Sequence, residues 1–156
     1  GPLGAGVEGL DCRAAGSVAM VPVAAPDHAL ARLDPIPPGA ARDYVQLVLS
    51  DRSQRTEGRD FAVLSARTWR LADLGAKHAL LREGIGWGNM PLPLIQADLI
   101  AGTLKRLAMP DHPGGMYRFG GIWRRDTPPG PAGAWLLDRF VQLGTEDAGE
   151  GGLGDL

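Results

Sequence analysis

A cluster of cationic and hydroxyl side chains gives one region of the sequence the capacity to bind a small anion. It holds five arginines and five hydroxyls, namely Arg52, Arg55, Arg59, Arg67 and Arg70 with Ser50, Ser53, Thr56, Ser65 and Thr68. Guanidinium and hydroxyl groups are hydrogen-bond donors that suit a carboxylate or a similar anion. A solvated arginine-rich loop explains the same residues, so composition alone leaves both interpretations open.

The position of these donors favours binding at Ser50, Ser53 and Thr68. Residues 44–49 (YVQLVL) form an apolar run typical of a strand, and the serines follow it. In an open α/β sheet, ligands bind beyond the carboxyl ends of the strands. Thr68 is a predicted N-cap of a helix over residues 69–83, whose first turn would offer free amides and a partial positive charge.

The other reactive residue types indicate neither catalysis nor metal binding. His28, His78 and His112 have no second metal-type residue at ligand spacing. The single cysteine, Cys12, excludes an internal disulfide. Residues 84–88 (GIGWG) follow a predicted helix instead of opening one, which excludes a dinucleotide-binding loop. We therefore predict no enzyme activity, no metal and no cofactor.

Trp87 is the aromatic residue that we single out as a candidate ligand contact. Glycines flank it on both sides, and they allow backbones to approach closely. A large ring in such a setting often lines a cleft. The other tryptophans are more often core residues.

Strands and helices alternate along the chain, which predicts an α/β sheet. The predicted strands are residues 18–25, 44–49, 61–64, 85–90, 104–108 and 117–125, and the predicted helices are residues 69–83, 93–102 and 131–143. Gly84 is the predicted left-handed residue after the first of these helices. The tail from Gly144 is rich in glycine and acidic residues, and we expect it to be disordered.

Composition limits the classes of function. The 156 residues suit one domain or two small lobes, and 44% of them are hydrophobic. The formal net charge of −2 differs from the basic field of a nucleic-acid-binding domain. No apolar run or signal segment indicates a membrane or secretion, and a reducing cytoplasm is expected. Residues 1–4 (GPLG) resemble the remnant of a cleaved expression tag, so we expect the native chain to extend upstream.

Several segments, in order, resemble the effector-binding (substrate-binding) domain of bacterial LysR-type transcriptional regulators. They are residues 21–31 (VPVAAPDHALA), 68–91 (TWRLADLGAKHALLREGIGWGNMP), 99–107 (LIAGTLKRL) and 130–140 (GPAGAWLLDRF). Each segment is weak evidence alone, whereas the ordered set is specific. Ala29 departs from the family pattern, which usually has proline there.

The resemblance implies a fold of the type II periplasmic-binding-protein kind, with two Rossmann-like lobes and the first lobe incomplete. By this interpretation, residues 5–16 end the first lobe, residues 17–88 form the second, effector-binding lobe, residues 89–143 return to the first lobe, and residues 144–156 are a flexible tail. The implied effector contacts, taken together with the strand-end rule, are Ser50, Asp51, Arg52, Ser53, Thr68, Trp69, Trp87 and Asn89.

The function implied by the resemblance is sensing of a small metabolite, for which an anion is one candidate, in a cleft between the lobes. The bound metabolite would modulate DNA binding by a full-length homo-oligomer, through an N-terminal domain that this sequence does not include. A solute-binding protein of a transporter has the same fold class and is the alternative. An enzyme on a related scaffold is the third possibility, and it would require a catalytic cluster that the sequence does not show.

Overall fold

The computed structural model describes residues 9–50 and 63–149. The elements are β1 (Leu10–Ala24), β2 (Gln46–Leu49), β3 (Thr68–Leu71), α1 (Leu74–Arg82), β4 (Trp87–Pro91), α2 (Leu92–Ala101), β5 (Lys105–Arg106), β6 (Gly115–Arg124) and α3 (Pro131–Gly149), with short 3-10 helices at Ala29–Arg32 and Ala40–Asp43. Strands mixed with helices confirm the predicted α/β class. Residues 51–60 of the predicted loop lie outside the described residues.

The chain divides into two compact units. Unit 1 contains the residues up to Val18 and those from Met116 onward, and unit 2 contains Ala19–Gly115. The chain therefore enters unit 2 within β1 and leaves it at the start of β6. The lobe boundaries predicted from the resemblance, with a return at Asn89, stay a prediction. Residues 87–91 stay in unit 2, because β4 pairs there with both β1 and β2.

The sheet of unit 2 mixes parallel and antiparallel pairs. Its strand order is β3-β2-β4-β1-β5. Strand β2 is parallel to both β3 and β4, whereas β1 is antiparallel to β4 and β5. Since β2, β3 and β4 all run in one direction, their carboxyl ends meet at one end of the sheet.

The predicted helix over residues 69–83 is wrong in its first turn. Thr68–Leu71 is strand β3, paired in parallel with β2, and α1 starts only at Leu74. The N-cap is Asp73, whose Oδ1 accepts a hydrogen bond from the amide of Ala76 at 2.7 Å. The helix end is as predicted, since Gly84 has a φ of 72°.

Two hydrophobic clusters, one on each face of the sheet, form the core of unit 2. The first contains Ala24, Leu30, Ala31, Ile36, Ala41, Trp87, Leu107 and Met109. The second contains Val21, Val23, Leu47, Leu81, Met90, Ile95 and Leu104. Leu81 and Ile95 come from α1 and α2, so the two helices cover the face of the second cluster.

A buried carboxylate fastens α1 to α2. Asp98 is 8% exposed, and its carboxylate lies 2.7 Å from His78 Nε2. Its other oxygen accepts from the Thr103 hydroxyl at 2.7 Å and lies 3.3 Å from Arg82 Nε. The Thr103 hydrogen bond, followed by His78 and Arg82, holds the pKa of Asp98 below its usual value. His78 therefore has a structural role, since it joins α1 to α2 through Asp98.

We expect Asp98→Asn to lower the free energy of unfolding by about 1–3 kcal/mol, the range for hydrogen bonds to a charged group. The lowered pKa means that the carboxylate stabilises the fold at pH values above about 4, and that this contribution is lost as pH falls through the folded-state pKa. Urea unfolding at pH 7 and pH 3 tests this. If acidification lowers the free energy of unfolding of Asp98→Asn as much as that of the wild type, the assignment to Asp98 is contradicted.

Unit 1 contains the first part of β1, strand β6 and helix α3. Arg13 Nη1 lies 2.6 Å from Asp138 Oδ1 on α3. Gly16 lies against the ring of Phe119, where an added Cβ would stand 2.9 Å from the ring. Helix α3 continues to Gly149. The flexible tail predicted from residue 144 stays a prediction. Residues 150–156 lie outside the described residues.

Candidate functional site

The parallel strands bring several polar groups to one end of the sheet in unit 2. Ser50 follows β2, residues 72 and 73 follow β3, and Asn89 is the middle residue of β4, two positions before its end. The Ser50 amide donates to the Leu71 carbonyl at 2.7 Å, which joins the first two strand ends. We call this place, with residues 50, 71–77, 89 and 112, the carboxyl edge. It is where an open α/β sheet binds ligands.

The first turn of α1 lies at the carboxyl edge. Asp73 accepts from the Ala76 amide, as described above. The amides of Leu74 and Gly75 precede the first intrahelical bonds, so the helix itself gives them no acceptor. Such amides and the helix dipole favour a nearby negative charge. The exposed carboxylate of Asp73 already meets part of that preference.

Lys77 adds a buried cation to this edge. Its side chain is 5% exposed, and its Nζ donates to the backbone carbonyl of Asn89 at 2.8 Å. No carboxylate in the described part of the chain forms an ion pair with it. Burial lowers the pKa of the Lys77 ammonium to about 8, because the charged form loses its hydration.

Gly88 provides the space that Lys77 occupies. A Cβ on Gly88 would stand 2.7 Å from the Leu47 carbonyl oxygen and 3.0 Å from Lys77 Cε. Only a residue without a side chain therefore lets β4 pass so close to both. The glycine that the sequence suggested for a close backbone approach has this role in the sheet.

We expect Gly88→Ala to destabilise the fold by about 1–3 kcal/mol, the usual cost of overpacking. Both the Leu47 carbonyl and the Lys77 stem would have to shift. Gly115→Ala is a matched control, since a Cβ there meets nothing within 4 Å. Urea unfolding of the two variants tests the difference, and equal midpoints would show that Gly88 is not sterically restricted.

Asn89 connects Lys77 to a histidine at the same edge. Its side-chain amide lies 2.9 Å and 3.0 Å, through its nitrogen and oxygen respectively, from His112 Nε2. Burial lowers the pKa of His112, and the nearby charge of Asp111 opposes this effect. Near neutral pH the His112 ring is therefore mostly uncharged. The sequence did not identify His112 as a candidate site residue. It is 23 positions from Asn89, and no sequence pattern indicates that the two side chains are in contact.

The structure brings together only some of the predicted contacts. Ser50 and Asn89 lie at the carboxyl edge, and both are partly exposed. Thr68 is the first residue of β3, so it lies at the amino end of the strands. Trp69 is 50% exposed on β3, the strand at one end of the sheet order. Asp51, Arg52 and Ser53 lie outside the described residues.

Trp87 is a core residue in this structure. It is fully buried at 0% exposure, and its indole N–H donates to the Ala41 carbonyl at 3.2 Å. The neighbouring glycines accommodate strand packing and do not open a cleft at the ring. Trp87 therefore belongs to the core in this structure, and its contact with a ligand stays a prediction.

Ser65 is also structural. Its hydroxyl lies 2.6 Å from the Tyr44 carbonyl and accepts from the Arg67 amide at 3.0 Å. Gln46 Oε1 accepts from the Leu64 and Ser65 amides at 2.8 Å and 3.1 Å. These bonds join the chain to the amino end of β2, far along the strand from Ser50.

The sequence missed Asp73 and Lys77, although it contains signals for both. Asp73 immediately precedes an apolar helical pattern, which is the usual position of an N-cap. Lys77 stands three residues after Leu74 and four before Leu81, so helical spacing puts it on the buried face. A lysine at such a position requires an explanation.

A concave surface lies at the end of the unit 2 sheet opposite the carboxyl edge. It is lined by Pro26, Asp27, Ala79, Arg82, Glu83, Gly102 and Thr103. It adjoins the amino end of β4, and it contains none of the predicted contacts.

Among the residues that the structure describes, no group of three or more His, Cys, Asp or Glu side chains is placed to hold a metal ion. Within the same residues, no helix is both long and apolar enough to cross a membrane.

Solved structures share this fold. The regulatory domain of CcmR from Synechocystis PCC6803, solved in complex with 2-PG, is 16% identical, with a TM-score of 0.66 over 91% of this chain and 70% of that one. The regulatory domain of MetR from N. meningitidis, a LysR family regulator, is 14% identical, with a TM-score of 0.67 over 90% and 67%. The effector-binding domain of QuiR in complex with shikimate is 20% identical, with a TM-score of 0.63 over 93% and 70%.

Comparison with curated proteins gives no match. The LysR substrate binding domain family matches residues 2–144, which is most of the chain. The fold is therefore that of the type II periplasmic-binding-protein kind, as the resemblance implied. The chain belongs to the LysR substrate binding domain family, the regulatory effector-binding domains of LysR-type transcriptional regulators.

Proposed function

We propose that this chain senses a small anionic metabolite and that the metabolite binds at the carboxyl edge. The observation that carries the proposal is the convergence of Ser50, the start of α1, Lys77 and Asn89 at one end of the sheet. These groups supply hydrogen-bond donors and one cation. The family is one of regulatory domains and not of enzymes, which agrees with a site built for binding.

The buried ammonium of Lys77 is the feature of the edge that supports an anionic effector, whereas the exposed carboxylate of Asp73 opposes one. Lys77 is a buried ammonium without an ion pair in the described part of the chain, and the α1 amides lie beside it. CcmR and QuiR were each solved with a small molecule bound, 2-PG and shikimate respectively. The position of the effector in a cleft between two lobes, as the resemblance implies, is part of this proposal.

The consequence for regulation follows from linkage. A metabolite that binds one arrangement of the regulator more tightly than another shifts the population toward the first. We propose that this shift alters DNA binding by a full-length homo-oligomer in the cytoplasm. DNA would be contacted by a separate N-terminal domain, since this chain has a net charge of −2.

A thermal-shift screen of small carboxylates on this chain tests the proposal. At least one compound should raise the melting temperature in a saturable way. Ser50→Ala should weaken its binding about tenfold, which corresponds to the loss of one hydrogen bond to a charged group. Thr68→Ala is the matched control, because this hydroxyl lies at the other end of the strands, and it should leave the affinity unchanged.

Two results would overturn the proposal. One is a screen in which no carboxylate gives a saturable shift. The other is a compound whose affinity is unaffected by Ser50→Ala or is equally weakened by Thr68→Ala, since that ligand would bind elsewhere.

A further inference from the structure

Lys77 is a buried cation that has one hydrogen bond and no counter-charge among the described residues. Of its three N–H donors, one reaches the Asn89 carbonyl at 2.8 Å. Within residues 9–50 and 63–149 it has no ion pair, although its side chain is only 5% exposed. The other buried ionic cluster of unit 2, around Asp98, has its charge partners in place. Lys77 is thus the exception in the same unit.

The fold also makes room for this side chain at a cost. Gly88 stands where any Cβ would meet Lys77 Cε at 3.0 Å and the Leu47 carbonyl at 2.7 Å. The stem of Lys77 lies against Gly88 of β4, and the ammonium donates to the carbonyl of Asn89, the middle residue of that strand. An apolar residue at position 77 would pack with the neighbouring Leu74 and Leu81. It would also avoid the cost of removing a charge from water.

We propose that Lys77 is the specificity-determining contact of the effector site and pairs with a carboxylate group of the ligand. This inference rests on the proposed function, and it goes further by assigning the charge recognition to one side chain. An ammonium has two further N–H donors beyond the one that reaches Asn89, and as a point charge it can pair with a carboxylate oxygen. A neutral amide of the same shape would leave the ammonium without a counter-charge, so the site should discriminate strongly between the two.

The competing explanation is that Lys77 only holds α1 against β4 through the Asn89 carbonyl. That role predicts no response of Lys77 to small anions. It also predicts that removing the ammonium weakens the fold. The lowered pKa of Lys77 agrees with an ammonium that has no counter-ion. An anion bound beside the ammonium would raise this pKa again.

The composition of the chain provides a direct experiment. Lys77 and Lys105 are the only lysines, so lysine labelled at the side chain with ¹³C and ¹⁵N gives two sets of signals. Lys105 has an exposed residue position and serves as the internal control. The probes are sodium acetate and acetamide, titrated into the complete chain at constant ionic strength with chloride as the balancing anion.

We expect acetate to shift the Lys77 side-chain signals in a saturable way and to raise the midpoint of their pH titration. Acetamide should do neither, and Lys105 should respond to neither probe. Lys77→Met should abolish any saturable stabilisation by acetate while the variant still folds with native circular dichroism. Lys105→Met should leave the acetate response of Lys77 unchanged.

The inference fails if Lys77 does not respond to acetate, if acetamide gives the same response, or if Lys105 responds equally. It also fails if Lys77→Met binds acetate as the wild type does. Failure of the proposed function has a different signature. A metabolite that binds through Ser50 with no effect on Lys77 would retain effector sensing and reject this role. A Lys77 response to acetate, with no screened metabolite whose affinity depends on Ser50, would retain the anion contact and reject the sensing function.

Discussion

Replacing Trp87 with leucine should lower the free energy of unfolding by about 2–4 kcal/mol, in the range for large core truncations. The indole is fully buried in the first core cluster, against residues such as Ala24, Leu30 and Leu107. Leucine would leave a cavity and would also leave the Ala41 carbonyl without the indole N–H that it accepts. Both losses act in the same direction.

Trp69→Leu is the matched control for this substitution. Trp69 is 50% exposed on β3, so the same change should alter stability by no more than about 0.5 kcal/mol, as for ordinary surface sites. Urea unfolding monitored by circular dichroism measures both variants. Equal destabilisation, or a Trp87→Leu variant with wild-type stability, would contradict the assignment of Trp87 to the core.

Lys77→Met should raise the stability of the ligand-free chain by about 1–3 kcal/mol, as is often found when a buried charge is replaced by an apolar side chain of similar volume. The ammonium loses hydration in the fold and regains only one hydrogen bond there. Its pKa falls from 10.5 to about 8, so folding disfavours the charged form. Methionine retains the stem that packs over Gly88 and removes that cost.

The sign of the pH dependence follows from the same shift. Between pH 8 and about 10.5 the unfolded chain binds the Lys77 proton more tightly than the folded chain does. The contribution of Lys77 to stability therefore rises with pH over this window. Urea unfolding at pH 7 and pH 10 should show this rise in the wild type and in Lys105→Met, and its absence in Lys77→Met. A destabilised Lys77→Met would mean that the Asn89 hydrogen bond outweighs the buried charge.

The sequence predicted one strand end of the candidate site because strand ends are a local feature. The apolar run before Ser50 identified β2, and the position after it is the place where ligands bind in an open sheet. Gly84 marked the end of α1 through its left-handed conformation, and the glycines around Trp87 indicated a close backbone approach. Each of these features depends on a few neighbouring residues.

The errors concern pairing between distant segments. Thr68–Leu71 fits a helix or a strand, and only its parallel pairing with β2 decides for β3. That change moves Thr68 to the opposite end of the sheet from Ser50. The burial of Trp87 likewise depends on Ala41, which lies 46 residues away in sequence. Long-range contacts of this kind leave no periodic signal in one sequence.

Lys77 and His112 illustrate the same limit for function. Helical spacing placed a lysine on the buried face, but only the fold shows that its ammonium reaches Asn89. The Asn89–His112 contact joins β4 to a loop beyond β5. Neither Lys77–Asn89 nor Asn89–His112 has a recognisable sequence spacing. The structure is therefore needed to place the Lys77 ammonium beside Asn89.

Amide chemical-shift mapping with a carboxylate that is active in the thermal-shift screen tests the central claim most directly. We expect the largest shifts at the carboxyl edge, at the amides of Ser50, residues 74–76, Asn89 and His112. The surface at the opposite end, around Asp27, Gly102 and Thr103, should change little. Largest shifts at that opposite surface, with the carboxyl edge unmoved, would contradict the proposed effector site.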